Sequence, residues 1–345
     1  MWASNPPIRL LRYLLVLRVN SSLVRTPACL PLELSLVLGM LIAERLPTSE
    51  ARPWRKALAP WSGYKGEILE LPGNGASVRE QAKSPVVPDV SWPLATVLYA
   101  YPGKQMYGRG EPILWELKLL GESADHGLFL ELVLPAIEEA SSTTDSRWKR
   151  PHKLWGNFDI DAVYVARGLQ WEPLVQDGRL NLRYQPTPTQ WAEGETLTAP
   201  GRTLKQLTWR TPFAFTLPLE TSHERRRPQQ KKKERPKVPG LSQILTATEA
   251  RLRGLAPGRG ATKGEVGEIF AGAEPSWEEA LEQAQALTRQ QYKLKRPPKH
   301  WPGNWIGAQR FSAIPPAVVP YLNLAAITHV GHYTHFGCGT FTLSG

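Results

Sequence analysis

The chain of 345 residues is poor in cysteine and in long apolar runs. Its two cysteines, Cys29 and Cys338, stand near opposite ends, which excludes a disulfide-rich scaffold and any Cys-x-x-Cys metal site and fits a reducing compartment. The longest clean apolar run, Leu34 to Ala43, has about ten residues, whereas a membrane-spanning helix needs roughly 20. We therefore expect a cytoplasmic protein that does not use a membrane.

The chain has fewer acidic than basic residues, so its net charge is strongly positive. The chain holds 42 Lys and Arg against 31 Asp and Glu, a formal net charge of +11. More than half of this excess lies in residues 224–237 (ERRRPQQKKKERPK), a segment that contains prolines. The balance favours a polyanionic partner, nucleic acid or a membrane surface, over an acidic small molecule. The alternative for this segment is a solvated linker.

The first half of the chain alternates strand-like and helix-like patterns. Apolar spacing predicts a strand, a helix, two strands, a helix and a strand. Their ranges are 9–19, 31–45, 92–101, 112–121, 127–140 and 158–167. The Pro- and Gly-rich stretch 47–90 is predicted to be an irregular crossing between the first helix and the second strand.

The second half repeats this order with one extra helix. The predicted elements are a strand, two helices, two strands, a helix and a closing strand. They lie at 203–215, at 240–254, after Ser276, at 292–296, 304–314, from about 316, and at 339–343. Two βαββαβ patterns predict an α+β protein with two tandem ferredoxin-like (RRM-like) domains, 1–190 and 200–345. The basic segment 224–237 would be an insertion in the second domain.

The segment HVGHYTHFGCGTFTL (329–343) combines glycines with histidines between a helix and the last strand. Gly331, Gly337 and Gly339 permit a left-handed backbone and the close approach of another chain segment. Successive backbone N–H groups in such a loop can bind a phosphate. The alternative is a helix end followed by a turn.

HVGHYTHFGCGTF resembles the glycine-rich loop that ends the CRISPR precursor-RNA processing endoribonucleases, a branch of the RAMP superfamily. The resemblance extends to the helix VVPYLNLAAIT before the loop, to the strand NWIGAQRFSAI and to the segment LTWRTPFAF. The stretch RGEPILWELKLLGESADHGLFLELVLPAIEEA resembles the middle of that family's first domain. Non-cleaving RAMP subunits of CRISPR effector complexes carry similar loops.

The resemblance implies two RRM-like folds that bind the hairpin repeats of precursor CRISPR RNA and cut them to mature guide RNA. It implies cleavage without metal or cofactor, in which a ribose 2′-hydroxyl attacks the adjacent phosphate. Such a reaction needs a base, an acid and a pocket rich in cations or N–H groups. Other subunits of a CRISPR effector complex are further implied partners.

The chain departs from the family in its histidines. Relatives often carry a catalytic histidine near the first helix, whereas here no histidine precedes His126. We therefore expect His332, His335 and Tyr64 to supply the acid and the base, since histidine titrates near neutral pH. The alternative function is a non-catalytic, RNA-binding RAMP subunit.

A zinc site is a third possibility at the C-terminus. His329, His332, His335 and Cys338 recur at every third position and have the side chains that zinc prefers. Structural zinc sites usually take ligand pairs from two separated segments, so we expect no metal here. With zinc, the chain would be an unrelated basic RNA-binding protein.

Basic and aromatic side chains outside the loop are expected to contact RNA. Cations neutralise phosphates, and exposed aromatic rings stack on unpaired bases. With the three loop glycines, the expected RNA contacts are Arg225, Arg226, Arg227, Lys231, Lys232, Lys233, Lys299 and Trp305.

Overall fold

The computed structural model describes residues 8–61, 90–143, 154–194, 203–215, 238–256, 270, 273, 275–287, 290–298 and 301–345. The strands are β1 Leu10–Val19, β2 Leu23–Arg25, β3 Thr96–Ala100, β4 Met106–Gly108, β5 Pro112–Leu120, β6 Phe158–Arg167, β7 Gln170–Gln176, β8 Arg179–Leu180, β9 Gln206–Trp209, β10 Gln290–Lys295, β11 Ile306–Phe311 and β12 Phe341–Ser344. The α-helices are α1 Leu30–Arg45, α2 Thr48–Leu58, α3 His126–Leu128, α4 Leu134–Ser142, α5 Leu241–Leu255, α6 Trp277–Gln285 and α7 Val319–Thr328. Among these helices, none combines the length and the apolar composition that crossing a membrane requires.

Two antiparallel sheets contain most of the strands. The first sheet pairs in the order β3-β5-β1-β6-β7-β8, and the second pairs in the order β10-β11-β9-β12. In each sheet, the four strands of a βαββαβ unit lie in the spatial order second, third, first, fourth, which is the ferredoxin-like arrangement. The predicted α+β fold with two tandem ferredoxin-like units is confirmed. The edge strands β7 and β8 extend the first sheet beyond the predicted pattern.

The prediction of an irregular crossing over residues 47–90 is wrong for the first part of this stretch. Residues Thr48–Leu58 form α2, whose Ala51, Trp54 and Ala57 are buried at a spacing of three. The prolines in this stretch obscure the pattern, but Pro53 lies on the exposed side and removes only one backbone hydrogen bond. Residues 62–89 lie outside the described part of the chain.

The predicted helix 127–140 contains a local distortion before Pro135. A π-helical turn, Phe129–Val133, joins α3 to α4. Proline cannot donate a backbone hydrogen bond, and its ring crowds the carbonyl four residues earlier. The wider π turn accommodates this proline, so the helical path continues across it.

Part of the first sheet packs against the hydrophobic core of the second unit. The first core forms under α1 and α4, and the second forms under α5, α6 and α7. Leu10, Val97 and Leu120 of the first sheet are buried in the second core. The glycine-rich segment 329–339 between α7 and β12, the terminal loop, contributes Phe336 to the first core and Val330 to the second. The terminal loop is therefore built into the boundary between the two units.

Candidate functional site

Backbone hydrogen bonds join the terminal loop to the segment that follows β9. The helix α7 ends where His329 adopts a left-handed backbone, with φ of +59°. The N–H of His332 donates to the carbonyl of Ala214 at 2.9 Å, and the N–H of Gly339 donates to the carbonyl of Pro212 at 2.9 Å. These bonds hold the loop against the second sheet.

Close approach of the backbone explains all three loop glycines, since a Cβ atom on Gly337, at φ +74°, would lie 2.3 Å from the carbonyl oxygen of Leu98. A Cβ atom on Gly339, at φ +83°, would lie 1.9 Å from the carbonyl oxygen of Val330. A Cβ atom on Gly331, at φ +87°, would lie 2.3 Å from the carbonyl oxygen of Ala214. Only glycine fits such positions without displacing backbone.

The predicted phosphate cradle is corrected for two of the three glycines. The N–H groups of Gly337 and Gly339 donate to the carbonyls of Thr334 and Pro212, both at 2.9 Å. A backbone N–H group that already donates to a carbonyl within the fold is not available to bind a phosphate. Gly331, by contrast, lines two cavities beside the loop.

His329 lies in the interior with both ring nitrogens engaged. Its Nδ1 is 3.1 Å from the carbonyl oxygens of Gly337 and Cys338, to which it donates. Its Nε2 then accepts from the ammonium of Lys118 on β5, at 3.1 Å. Burial and the nearby cations Lys118 and Arg251 hold the pKa of His329 well below its ordinary value. This histidine ties the terminal loop to the first sheet as a neutral group.

His335 does not have the environment of the predicted acid or base. Its ring nitrogens are 2.6 Å from the Ser35 hydroxyl and 2.7 Å from the Thr96 hydroxyl. Its ring stacks on Trp92 with 4.3 Å between the centroids. Burial lowers the pKa of His335 to about 3, so the ring stays neutral. Both nitrogens are therefore bound within the fold, although the residue also lines the cavity of about 270 Å³ beside the loop, and its role as acid or base stays a prediction.

His332 lines both cavities beside the terminal loop, whereas His335 lines only the smaller one. His332 is half-buried, and the two cavities, of about 270 Å³ and about 620 Å³, share Arg251 and Gly331. The two cavities therefore form one groove between α5 and the terminal loop. Here a histidine ring, a guanidinium and a glycine backbone could reach one bound phosphate.

Arg251 is a functional candidate that sequence reasoning missed. Its guanidinium donates to the carbonyl of Thr328 and to the hydroxyl of Thr334, both at 2.7 Å. Burial lowers its pKa to about 10, so it keeps its charge at neutral pH. In the sequence it is one arginine of an ordinary amphipathic helix. Only the packing of α5 on the loop reveals it.

Most of the expected RNA contacts fall outside the described residues, namely Arg225, Arg226, Arg227, Lys231, Lys232, Lys233 and Lys299. Tyr64, which is expected to take part in acid–base catalysis, also lies outside them. Trp305 is described, but it is packed against the second core, and its carbonyl accepts from the N–H of Phe213 at 2.9 Å. The structure therefore gives Trp305 a packing role that the sequence pattern did not indicate.

The spacing of His and Cys near the C-terminus does not assemble a zinc site. The nitrogens of His329 and His335 are engaged by the partners given above, and the Cys338 thiol lies 3.6 Å from the carbonyl of Pro302. Across the residues that the structure describes, His, Cys, Asp and Glu nowhere form a group of three with metal-binding geometry. The zinc alternative has no support in this geometry.

A second cavity lies where the end of β3 meets the end of β9. It has a volume of about 290 Å³, and its lining includes Tyr99, Tyr101, Lys104 and Arg210. Arg210 donates a hydrogen bond to the hydroxyl of Tyr99, whose pKa is nevertheless raised by burial. The cavity therefore combines tyrosine rings with an exposed cation.

A buried ion cluster lies next to this cavity on β1 and β5. Arg12 pairs with Glu116 at 2.7 Å, and the Tyr101 hydroxyl lies 3.5 Å from the same carboxylate. Burial favours the neutral acid, but Arg12 and Lys118 outweigh it, so the pKa of Glu116 lies below its ordinary value. Burial lowers the pKa of Lys118 to about 8. These charges stabilise each other rather than a ligand.

Comparisons with known proteins find similarity only among solved structures. No protein-family model matches the sequence, nor does any curated protein. Cas6 proteins are among the solved structures that match almost the whole chain.

The matches are distant in sequence. A Cas6 product complex has 13% identity and a TM-score of 0.44, with 97% of this chain and 100% of that chain covered. Thermus thermophilus Cas6 has 13% identity and a TM-score of 0.38, with coverages of 98% and 99%. A partial Cas6-RT-Cas1–Cas2 complex has 13% identity and a TM-score of 0.44, with coverages of 100% and 47%.

Proposed function

We propose that this protein is a Cas6-type endoribonuclease that binds repeat hairpins in precursor CRISPR RNA and cuts them to guide RNA. The groove between α5 and the terminal loop carries this proposal, because it brings His332, Gly331 and Arg251 together. The partners would be the repeat RNA and other CRISPR proteins. We propose a cytoplasmic location, as expected for such a substrate.

In the proposed reaction the 2′-hydroxyl oxygen attacks the adjacent phosphorus. The bond from phosphorus to the 5′ oxygen breaks, which leaves a 2′,3′-cyclic phosphate and a 5′-hydroxyl. One group takes the proton of the 2′-hydroxyl, and another returns a proton to the 5′ oxygen. His332 would serve in one of these proton transfers, while Arg251 would stabilise the negative charge on phosphorus. Because the 2′-hydroxyl is the nucleophile and side chains would supply the proton transfers and the charge stabilisation, we propose cleavage without a metal ion.

A labelled repeat RNA in EDTA tests the reaction class. Cleavage that resists EDTA and is lost when the scissile position carries 2′-deoxyribose would support the proposed chemistry. A His332→Ala variant should cleave about 100-fold more slowly and still bind the RNA, because one acid–base group contributes about 10²–10⁴-fold.

The matched control for that variant is His126→Gln. His126 is a half-buried histidine on α3, where its Nδ1 lies 3.1 Å from the Tyr13 hydroxyl, within the first unit. This variant should keep the normal cleavage rate. Full activity of His332→Ala would remove His332 from the mechanism.

The second candidate function is an RNA-binding RAMP subunit that does not cut. The engaged nitrogens of His329 and His335 favour it, since acid–base transfer needs two groups and both nitrogens of these two rings already bind partners within the fold. Tight binding of the repeat RNA without cleavage, under every metal condition, would establish this second function and exclude the first.

A further inference from the structure

The larger cavity beside the terminal loop, of about 620 Å³, extends from His332 along helix α5 to Gln243, and we call it the α5 cavity. Its volume lies within the range of about 300–1,000 Å³ that is typical of small-ligand sites. The proposed cleavage uses His332 and Arg251 at one end. The wall that contains Gln243 is therefore left for another part of the substrate.

Helix α5 presents short side chains to the cavity between Gln243 and Arg251. Ala247, Ala250 and Gly254 lie on this side at helical spacing. A Cβ atom added to Gly254 would meet nothing within 4 Å, so the space above it is open. Gln243 and Arg251 are roughly 12 Å apart along the helix axis. The cavity therefore has room for a flat group between an amide at one end and a cation at the other.

An aromatic ring also lines the α5 cavity. Phe215, which follows β9, is half-buried there. Its ring packs edge-to-face on Phe213, with 5.9 Å between the centroids. It also lies against the loop, because a Cβ atom added to Gly331 would be 3.4 Å from this ring. A ring held in this way offers a flat apolar surface on which a base stacks.

The charge of the cavity suits an anion. Arg251 and His332 line it, and the described residues of its lining include no Asp or Glu. The carboxylate of Glu249, elsewhere on α5, pairs with Arg253 at 2.8 Å. The α5 cavity thus combines a ring for stacking, a cation and an amide, which together match the base and the phosphate of a nucleotide.

The Gln243 side chain has a fixed orientation. The backbone N–H of Gly240 donates to its Oε1 at 2.6 Å. The other end of the amide, Nε2, carries two N–H donors and has no acceptor. Since the side chain is exposed and lines the cavity, Gln243 offers a donor to a ligand while its acceptor serves the fold.

A fixed donor distinguishes bases by their keto and amino groups. Guanine presents the keto oxygen O6 where adenine presents an amino group, and uracil presents O4 where cytosine presents an amino group. A glutamine that rotates freely can turn its amide to suit either kind of base. Gln243 cannot do so without breaking its bond to Gly240.

We infer that the α5 cavity holds the base of the nucleotide whose 2′-hydroxyl attacks, and that Gln243 selects a keto base there by donating to its O6 or O4. The base stacks on Phe215, and its 3′ phosphate lies at His332 and Arg251. This inference rests on the proposed function and adds a specificity-determining residue to it. An amino base in the same place would bring two donors together and leave both unpaired.

Four mononucleotides test this selection without any cleavage. The wild type should bind guanosine 3′-phosphate about tenfold more tightly than adenosine 3′-phosphate, and uridine 3′-phosphate about tenfold more tightly than cytidine 3′-phosphate. In Gln243→Leu, each pair should bind within about twofold. Dissociation constants from calorimetric or NMR titration give these ratios. A purely structural role of Gln243 would weaken all four nucleotides and leave the ratios unchanged.

Two further variants separate stacking from selection. Phe215→Leu should weaken all four nucleotides by a similar factor of about five or more and keep the preference for keto bases, since every base has a flat face. Gln285→Leu is the matched control, at an exposed glutamine at the end of α6. It should leave all four affinities unchanged.

The outcomes are distinguishable from those of the cleavage assay. A protein that never cuts repeats, but shows a keto preference that Gln243→Leu removes, would support the α5 cavity and refute the proposed nuclease. Equal affinity of the wild type for keto and amino bases would overturn the inference even if the protein cleaves repeats. A keto preference that Gln243→Leu retains would also overturn it, as would no binding of any of the four nucleotides.

Discussion

The terminal loop differs from the side of the first sheet that carries Leu14, Tyr101, Leu114 and Tyr164, its open face, in how far its side chains are engaged within the fold. Both ring nitrogens of His329 and of His335 have hydrogen-bond partners within the fold. Tyr101 and Leu114 remain more than a third exposed. Side chains that are conspicuous in a sequence are therefore not always the ones that meet a ligand. In the loop, most polar groups are used to join the two units of the fold.

The largest expected effect tests the structural role of the loop. Gly339→Ala should lower the free energy of unfolding by more than about 3 kcal/mol, because its Cβ would collide with the carbonyl of Val330. Gly110 has the same φ of +83° but no atom within 4 Å of an added Cβ. Gly110→Ala should therefore cost only about 1 kcal/mol, the left-handed strain alone. Urea unfolding measures both, and equal losses would contradict a tightly packed loop.

A smaller effect should appear in the pH dependence of stability. His335 has a folded pKa of about 3, whereas an unfolded histidine titrates near pH 6.5. As the pH falls through this window, the unfolded chain takes up a proton that the folded chain does not, so stability is lost. From pH 7 to pH 4 the His335→Gln variant should lose about 3 kcal/mol less than the wild type.

The readout is the change in the free energy of unfolding between pH 7 and pH 4, not its absolute value. His335→Gln also removes the stacking on Trp92 and so lowers stability at every pH. A variant with the same loss as the wild type between pH 7 and pH 4 would show that His335 is accessible to protons. That result would restore it as a candidate acid or base.

The smallest effect is expected at the rim of the open face. Arg18 and Asp161 form an ion pair at 2.6 Å, but the Arg18 side chain is 49% exposed. Exposed pairs contribute little net stability, because water and salt already screen both charges. Arg18→Ala should leave the urea midpoint unchanged. A clear shift of the midpoint would show that this side of the first sheet is as tightly integrated as the loop.

The strand and helix order could be predicted from the sequence because the main chain follows the spacing of apolar residues. Strand β1 and helix α1 lie within one residue of their predicted bounds. The helix predicted after Ser276 is present as α6, and the Ser276 hydroxyl accepts from the N–H of Glu279 at 3.2 Å. Helix α2 was not predicted, because prolines in this stretch indicated an irregular segment.

The sites were less predictable, because side-chain environment depends on residues far apart in the chain. His335 is neutral owing to Ser35 and Thr96, which lie 300 and 239 residues away. Arg251 becomes a candidate only because α5 packs on the loop.

The sequence by itself determined the repeated βαββαβ order and the need for glycine near the C-terminus, since local spacing and backbone conformation decide both. Only the tertiary structure decided that His329 and His335 have both ring nitrogens bound within the fold. It also placed Tyr101 and Tyr164, from strands far apart in the sequence, on one accessible face. Burial and hydrogen bonding are properties of neighbours in space, and local sequence does not contain those neighbours.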